Sequence, residues 1–251
     1  MKTLSRRLVA ALACRNNGSR LYGKPLQNLI GKTTVLDQII HSIRHFPVIE
    51  EIVLGVSEGP SNAAFFDFAK ERNVSYVFGD PQDVLSRLIL CGRAAKATDV
   101  FRVTTECPWF AYDLLMPAWE KHVKNNNDIT VCDRLPEGLS FEIYRLEALE
   151  RSHQRGTPND RSEYCSSYAR RSSKEFRIDV LHPPKEQQRL DLRVTVDYPE
   201  DLVLCREIAK ACGGSMPLVS VGDIISFLDS RPDLKALVAP FVVPEPLWNV
   251  F

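Results

Sequence analysis

Short apolar runs alternate with segments of helical periodicity along most of the chain. The apolar runs are rich in Val, Ile and Phe, and they predict strands at 8–13, 51–56, 75–78, 100–103 and 129–131. The segments between them predict helices at 34–46, 62–72, 81–95 and 112–124. Such alternation is typical of strand–helix–strand crossovers that build a largely parallel sheet. We therefore predict an α/β fold.

The helix predicted at 81–95 has a well-defined start in the sequence. Asp80 can cap it, Pro81 suits the first helical position, and Asp83 places negative charge in the first turn. These three residues predict that the helix begins at Pro81.

The pattern changes between residues 135 and 189. A short strand (141–144), a polar helical stretch (161–173) and a strand-like piece (176–181) indicate an inserted arm. A return strand (192–196), a helix (199–212) and a second helix (221–230) follow, the two helices separated by Gly213 and Gly214. We predict one domain over 1–212 with the arm at about 135–189, and a C-terminal unit over 213–251.

The C-terminal unit ends in a Pro-rich apolar tail from 240 to 251. Its large apolar side chains are Phe241, Val242, Val243, Leu247, Trp248 and Phe251. This is too much apolar surface to leave in water. We expect the tail to pack on its own domain or on a partner subunit.

Composition narrows the class of protein. The 251 residues are 44% hydrophobic, so the chain can bury a large core, and its 32 basic and 32 acidic residues cancel. A chain without net charge has no overall electrostatic field that favours binding to nucleic acid or to an anionic membrane. No apolar run approaches the roughly 20 residues that span a bilayer. The seven cysteines are scattered without a Cys-x-x-Cys pair, which argues against a disulfide framework and a zinc ribbon. We expect a cytoplasmic protein with reduced cysteines.

A basic, glycine-containing loop directly follows the first predicted strand. Residues 15–24 hold three cations (Arg15, Arg20 and Lys24) and two glycines. Glycine permits close approach of the backbone to a ligand, arginine makes bidentate contacts with phosphate, and ligands of open parallel sheets bind beyond the carboxyl ends of strands. The loop is a candidate polyphosphate site, and the alternative is a solvated basic loop. Its spacing matches neither a Walker loop nor Gly-x-Gly-x-x-Gly.

Two acidic residues stand at the ends of other predicted strands. Glu106 follows the strand at 100–103, and Asp197 follows the strand at 192–196. Mg²⁺ prefers oxygen ligands, usually one or two carboxylates together with substrate phosphates and water. The pair could hold a nucleotide–metal complex. The alternative is that Asp197 starts the following helix and Glu106 is a loop carboxylate.

In order along the chain, these segments resemble the cytidylyltransferases that make CMP-activated acidic sugars, and most closely their spore-coat-polysaccharide branch, the SpsF-like proteins. Residues 15–24 resemble Arg-x-Gly-Ser-x-Arg-Leu-x-Gly-Lys with one extra residue, and 79–87 resemble Gly-x-x-x-Asp-Val-Leu-x-Arg. Residues 136–142 are similar to Pro-x-Gly-Leu-Asp-x-Glu, and 192–202 to Leu-Arg-x-Thr-Val-Asp-x-Pro-Glu-Asp-Leu. The resemblance implies a three-layer Rossmann-like fold of the nucleotide-diphospho-sugar transferase type with a small dimerisation arm.

The resemblance also implies roles for named residues. Those implied to bind nucleotide are Leu12, Ala13, Cys14, Arg15, Gly18, Ser19, Arg20, Lys24 and Thr104, with the base read near residues 12–14. Those implied to bind an acidic acceptor are Arg87, Arg102, Glu142 and Arg161. Mg²⁺ would be held by Glu106 and Asp197, and the implied catalytic residues are Arg15, Lys24 and Asp197.

These roles predict a transfer of CMP from CTP to a small acidic, sugar-like acceptor, with release of pyrophosphate. We expect the protein to be a homodimer that binds neither nucleic acid nor membrane. Three departures from the family pattern leave alternatives open. Thr105-Glu106 replaces Gly-Asp, Ser140 replaces Asp, and Asn16-Asn17 lengthens the loop. The alternatives are a weakly active or non-catalytic nucleotide-binding protein, a transferase that uses another nucleoside triphosphate, and a glycosyltransferase. The glycosyltransferase alternative has less support, because no predicted strand of this chain ends in an Asp-x-Asp element.

Overall fold

A computed structural model describes residues 6–243. In chain order its strands are β1 (Leu8–Cys14), β2 (Asn28–Ile30), β3 (Thr33–Thr34), β4 (Ile49–Ser57), β5 (Ser75–Gly79), β6 (Asp99–Arg102), β7 (Ile129–Cys132), β8 (Glu142–Arg145) and β9 (Ile178–Leu181). Its helices are α1 (Val35–Ile43), α2 (Ala64–Glu71), α3 (Val84–Ala94), α4 (Leu115–Lys124), α5 (Leu146–Arg155), α6 (Ser167–Arg171), α7 (Pro199–Ala211), α8 (Val221–Asp229) and α9 (Pro232–Val238).

Seven strands form one central sheet in the order β5-β4-β1-β6-β8-β7-β9. β1 pairs in parallel with β4 and β6, β4 with β5, and β7 with β9, whereas β8 is antiparallel to both neighbours. The carboxyl ends of β1, β4 and β6 therefore meet at one edge of the sheet. β2 and β3 form a separate antiparallel hairpin.

The sheet is covered on both faces, as the alternation of side chains along β1 shows. Leu8, Ala10 and Leu12 pack in a core with apolar residues of α1, α2, α4, α7 and α8, whereas Val9 and Ala11 pack in a second core with residues of α3, α5 and α6. A period of two along a strand buried on both faces produces this division. The predicted three-layer α/β fold with a mostly parallel sheet is confirmed.

The strands predicted before residue 132 occur within two residues of their predicted ends. Three other predictions are wrong. Segment 192–196 is extended but forms only an isolated bridge between Arg193 and Glu137. The helix predicted over 161–173 is reduced to α6. The third helix begins at Val84 with Asp83 as its cap, while Asp80 accepts bonds from the amides of Gln82 and Asp83 in the preceding turn.

The segment predicted as an arm contributes to the central sheet. β8 lies between β6 and β7, and β9 pairs with β7. Helix α5, which the sequence analysis missed, packs on α3. These elements of segment 135–189 are therefore continuous with the main body of the protein.

The first part of the apolar tail packs on the chain itself. The rings of Phe241 and Tyr198 are stacked, with centroids 3.9 Å apart and planes 10° apart. The predicted contacts of Leu247, Trp248 and Phe251 lie outside the described residues.

All seven cysteines are free thiols, and six of them are buried, as the sequence predicts. Within residues 6–243, no helix has the length and apolar character needed to cross a bilayer.

A buried polar network lies at the edge of the sheet opposite the carboxyl ends of the parallel strands. Asp99 is fully buried and accepts hydrogen bonds from Arg6 Nη2 (2.5 Å), Thr98 Oγ1 (2.6 Å) and His122 Nε2 (3.1 Å). Burial alone raises the pKa of Asp99, but these hydrogen bonds outweigh it and hold the pKa below its usual value. Burial lowers the pKa of His122 in spite of the neighbouring carboxylate.

The network predicts how stability changes with pH. The folded chain disfavours protonation of His122. The contribution of this residue to the free energy of unfolding is therefore complete above the ordinary histidine pKa of about 6.5, and it decreases as the pH falls below that value. The unfolded state then binds a proton that the folded state excludes. Urea unfolding at pH 7.5 and 5.5 measures this decrease in the free energy of unfolding. We expect the decrease to be smaller in His122→Gln and to persist in the exposed control His182→Gln. Equal pH dependence in wild type and His122→Gln would contradict it.

Candidate active site

A cleft of about 780 Å³ opens at the edge of the sheet where β1 and β6 end. Its walls come from the loop after β1, the segment after β6, the loop 162–166, the segment 193–198 and the start of the apolar tail. The position beyond the carboxyl ends of parallel strands is where open α/β sheets bind ligands.

The loop after β1 is fixed by an asparagine that departs from the family pattern. Asn16 is buried, its main-chain N–H donates to Asn62 Oδ1 (2.7 Å), and its Nδ2 donates to the carbonyl of Ser61 (2.6 Å). Its carbonyl accepts from the N–H of Gly23 (2.9 Å), which closes the loop. A side chain at Gly18 would place its Cβ 2.3 Å from the carbonyl oxygen of Leu21, so this position requires glycine.

The two predicted metal ligands lie on adjacent segments. The N–H of Val196 donates to the carbonyl of Glu106 (2.8 Å), which joins the segment after β6 to the segment that carries Asp197, and both carboxylates line the cleft. Burial raises the pKa of Glu106 against the opposing charge of Lys24. Burial also acts to raise the pKa of Asp197, but the hydrogen bond and charge of Lys24 lower it overall.

Three cations surround the carboxylate of Asp197. Lys24 Nζ lies 2.6 Å and Arg20 Nη2 3.5 Å from Oδ1, and Arg193 Nη2 lies 2.9 Å from Oδ2. Arg20 also lies over the ring of Tyr198, 5.0 Å from its centroid. The basic loop and the carboxylate after 192–196 therefore meet although 173 residues separate Lys24 from Asp197.

Arg193 is a site residue that the sequence analysis did not identify. It is 4% exposed and bonds three carboxylates: Glu137 at 2.5 Å, Asp197 at 2.9 Å and Asp201 at 2.9 Å. Asp201 also accepts from the N–H groups of Asp197 and Tyr198 at the start of α7. One buried guanidinium thus fixes the backbone and the carboxylate of Asp197.

The predicted nucleotide-binding residues divide into two groups. Those that line the cleft are Ala13, Arg15, Gly18, Arg20, Lys24 and Thr104. Leu12 and Cys14 do not line it, because alternate side chains of β1 enter the core, and Ser19 is exposed outside the cleft. The carbonyls near the end of β1 are also engaged, Ala13 by Thr105 Oγ1 (2.9 Å) and Cys14 by Arg87 Nη1 (3.0 Å). Leu12, Cys14 and Ser19 thus do not line the cleft, and their roles in nucleotide binding stay predictions.

Three of the four predicted acceptor contacts reach the cleft. Arg102 and Glu142 form an ion pair of 2.5 Å in its wall, and Arg87 is 1% exposed beneath it. Among residues 6–243, no carboxylate lies within ion-pair distance of Arg87, and its Nε has no hydrogen-bond partner. Arg161 does not line the cleft, because this side chain donates to the carbonyl of His153 (3.0 Å) and faces Asp83 (4.0 Å), and its role in acceptor binding stays a prediction.

Other lining residues received no role in the predicted site. They are Gln82, Asp133, Glu137, Glu163, Tyr164, Ser166, Arg170, Tyr198, Phe241 and Val242. Charge and hydrogen-bonding capacity identify such residues as candidates only once a fold brings them together, since they come from five separate segments. Glu137 could have been identified from the sequence, because it lies inside the family motif at residues 136–142.

The carboxylates of the cleft suit a hard divalent cation such as Mg²⁺ or Mn²⁺ better than a softer metal such as Zn²⁺ or Cu²⁺. In the part of the chain that the structure describes, no group of three or more His, Cys, Asp and Glu side chains could enclose an ion. Two carboxylates that face a basic loop are the incomplete donor set that Mg²⁺ uses together with substrate phosphates and water. Glu106 and Asp197 fit this requirement.

Comparison with known proteins agrees with the fold and the motifs. No protein-family model matches the chain. The spore coat polysaccharide biosynthesis protein SpsF of Bacillus subtilis is 24% identical over 235 residues, which cover 88% of this chain and 94% of SpsF. This similarity extends over nearly the whole length of both proteins.

Several solved structures share the fold. A cytidylyltransferase from Leptospira borgpetersenii has a TM-score of 0.79 at 20% identity and covers 92% of this chain and 97% of its own. A CMP-2-keto-3-deoxy-manno-octonic acid synthetase complexed with CTP has a TM-score of 0.63 at 11% identity, with coverages of 82% and 99%. Rv0371c of Mycobacterium tuberculosis, in a complex with manganese, has a TM-score of 0.58 at 14% identity, with coverages of 81% and 99%. The chain thus has the cytidylyltransferase fold and extended sequence similarity to SpsF, which confirms the resemblance to the cytidylyltransferase family that its four motifs predict.

Proposed function

We propose that the protein transfers CMP from CTP to a small acidic, sugar-like acceptor and releases pyrophosphate. One observation carries this proposal: the three cations of the loop after β1 and the carboxylates of Glu106 and Asp197 line a single cleft at the carboxyl ends of β1 and β6. The similarity to SpsF and the CTP bound to one structural relative support cytidine as the base.

Different residues of the cleft bind the triphosphate and the metal ion. Arg15, Arg20 and Lys24 hold the triphosphate and offset the charge that develops on the departing pyrophosphate. Glu106 and Asp197 would hold Mg²⁺, which orients the α-phosphate and lowers the pKa of the acceptor hydroxyl when bound. An acceptor oxygen attacks the α-phosphorus in line, the bond to the β-phosphate oxygen breaks, and the acceptor proton leaves to solvent.

The far end of the cleft fits an anionic acceptor. Arg87 is a buried cation without a carboxylate at ion-pair distance in the described chain, and a buried unpaired charge is stabilised when an anion reaches it. Arg102 is already paired with Glu142, so this pair offers hydrogen bonds rather than net charge. We infer that Arg87 provides the net positive charge of the acceptor end.

The departures from the family pattern are compatible with activity. The hydroxyl of Thr105 donates to the carbonyl of Ala13, so the added side chain braces β1, and Asn16 closes the loop after β1. Glu106 is one methylene longer than the aspartate of the family and still lines the cleft.

The function is tested by pyrophosphate release from CTP and Mg²⁺ with a panel of acidic sugars and phosphorylated acceptors. We expect release that depends on one acceptor class and on CTP more than on ATP, GTP or UTP. Calorimetric binding of CTP without release on any acceptor would instead favour a non-catalytic nucleotide-binding protein. A homodimer remains part of the proposal, and light scattering at micromolar concentration measures it.

A further inference from the structure

Both oxygens of the Asp197 carboxylate have cations of the chain as partners. Lys24 and Arg20 lie against Oδ1, and Arg193 donates to Oδ2. A divalent cation that approached this carboxylate would have to displace or be repelled by the ammonium group 2.6 Å away. In this arrangement Asp197 pairs with cations of the chain and is a poor ligand for a free metal ion.

The two sets of cations around Asp197 differ in the number of carboxylates that hold them. The side chain of Arg193 is 3% exposed and is tied to two further carboxylates, so it is a fixed partner. Lys24 lines the cleft, and Asp197 is the carboxylate with which it forms an ion pair in the described part of the chain. The side chain of Arg20 is 45% exposed. Lys24 and Arg20 can therefore leave Oδ1 when another anion enters the cleft, whereas Arg193 cannot leave Oδ2.

We propose that Lys24 exchanges from Asp197 to the phosphates of the nucleotide, so that nucleotide binding frees Asp197 Oδ1 for the divalent cation. This inference rests on the proposed function, since it needs a polyphosphate beside the loop after β1. The two ligands then bind with positive coupling, and by linkage each strengthens the binding of the other. Lys24 opposes the metal in the free protein and supports the nucleotide in the complex.

The test is the affinity for each ligand alone in the Lys24→Met variant. Mn²⁺ binding without nucleotide, measured by electron paramagnetic resonance, is expected to become about tenfold tighter than in wild type, because opposite charges near a carboxylate change its affinity for a cation by about that factor or more. CTP binding in the presence of EDTA, measured by calorimetry, is expected to become about tenfold weaker because one phosphate contact is lost. Tighter binding of Mn²⁺ together with weaker binding of CTP is the result that identifies the exchange.

Two controls separate the exchange from general effects of charge or folding. Lys32→Met removes an exposed lysine outside the cleft and should change neither affinity. Asp197→Asn should lose Mn²⁺ binding and bind CTP in EDTA at least as tightly as wild type, since Lys24 no longer has a carboxylate to leave. Lys24→Gln is a second neutral variant with the same expected signs if Lys24→Met does not fold.

The outcomes are distinguishable from those of the proposed function. Unchanged or weaker Mn²⁺ binding by a folded Lys24 variant overturns the exchange, even if wild type binds CTP and releases pyrophosphate. Failure of wild type to bind CTP overturns the proposed function instead. A Lys24 variant with tighter Mn²⁺ binding and weaker CTP binding supports both.

Discussion

Replacing Asp197 by asparagine is expected to lower pyrophosphate release from CTP by about a hundredfold or more while the protein stays folded. The carboxylate is the proposed metal ligand and the partner of Lys24, and losing one preorganised electrostatic contact to a reacting group costs a factor of that size. Folding should change little, because Arg193 keeps Glu137 and Asp201 as partners. Release at saturating CTP and a thermal melt measure the two effects.

Asp191→Asn is the matched control for this substitution. Asp191 is exposed outside the cleft, where it pairs with Arg189, and the same chemical change there should leave pyrophosphate release at the wild-type rate. Wild-type release by Asp197→Asn would remove Asp197 from the reaction and, with it, the proposed metal site.

Replacing Arg193 by methionine is expected to destabilise the protein by about 3–5 kcal/mol, the largest loss that we predict for a single side chain of the site. The change leaves Glu137, Asp197 and Asp201 together without the cation that they share, and removing one partner of a buried ion pair has a cost of this order. Urea unfolding at neutral pH measures it.

Arg189 supplies the control for Arg193. It also forms ion pairs with two carboxylates, Asp191 and Asp229, but its own side chain is 26% exposed and theirs are 59% and 43% exposed. Exposed pairs contribute about 0–1 kcal/mol, so Arg189→Met should cost far less. Adding Glu137→Gln to Arg193→Met should recover part of the loss, since one uncompensated carboxylate is neutralised. Equal losses for the two arginine variants would show that burial does not set the contribution of Arg193.

The parts of the molecule that depend on local sequence could be predicted. The strands near the N-terminus are continuous apolar runs, α7 has proline at its start and acidic residues in its first turn, and α8 is capped by Ser220, so their positions follow from period and start signals. The basic loop after β1 was identifiable because glycine and three cations lie within ten residues of a strand end. That it faces Glu106 follows from the parallel sheet, which collects strand ends at one edge, whereas Asp197 reaches this edge through the hydrogen bond from Val196 to the carbonyl of Glu106.

The parts that depend on tertiary contacts could not be predicted. Segment 192–196 alternates like a strand, but it forms an isolated bridge with Glu137, and tertiary contacts decide this. Asp80 and Asp83 can both cap a helix, and the proline between them favoured the wrong one. Arg193 has a local partner in Asp201, but its bond to Glu137 spans 56 residues, so its central place in the site became apparent only in the fold.

The stack of Phe241 on Tyr198 bears on how the protein should be handled in binding experiments. Phe241 and Val242 line the cleft, so a purification tag fused to the carboxyl terminus would be attached to the same segment that forms part of the cleft wall. A polyhistidine tag at that end would bring metal-binding imidazoles to the site whose Mn²⁺ affinity is to be measured. β1 runs toward the cleft from Leu8, so Leu8 lies at the opposite edge of the sheet, and a tag that precedes this strand is attached to the chain on the side away from the cleft.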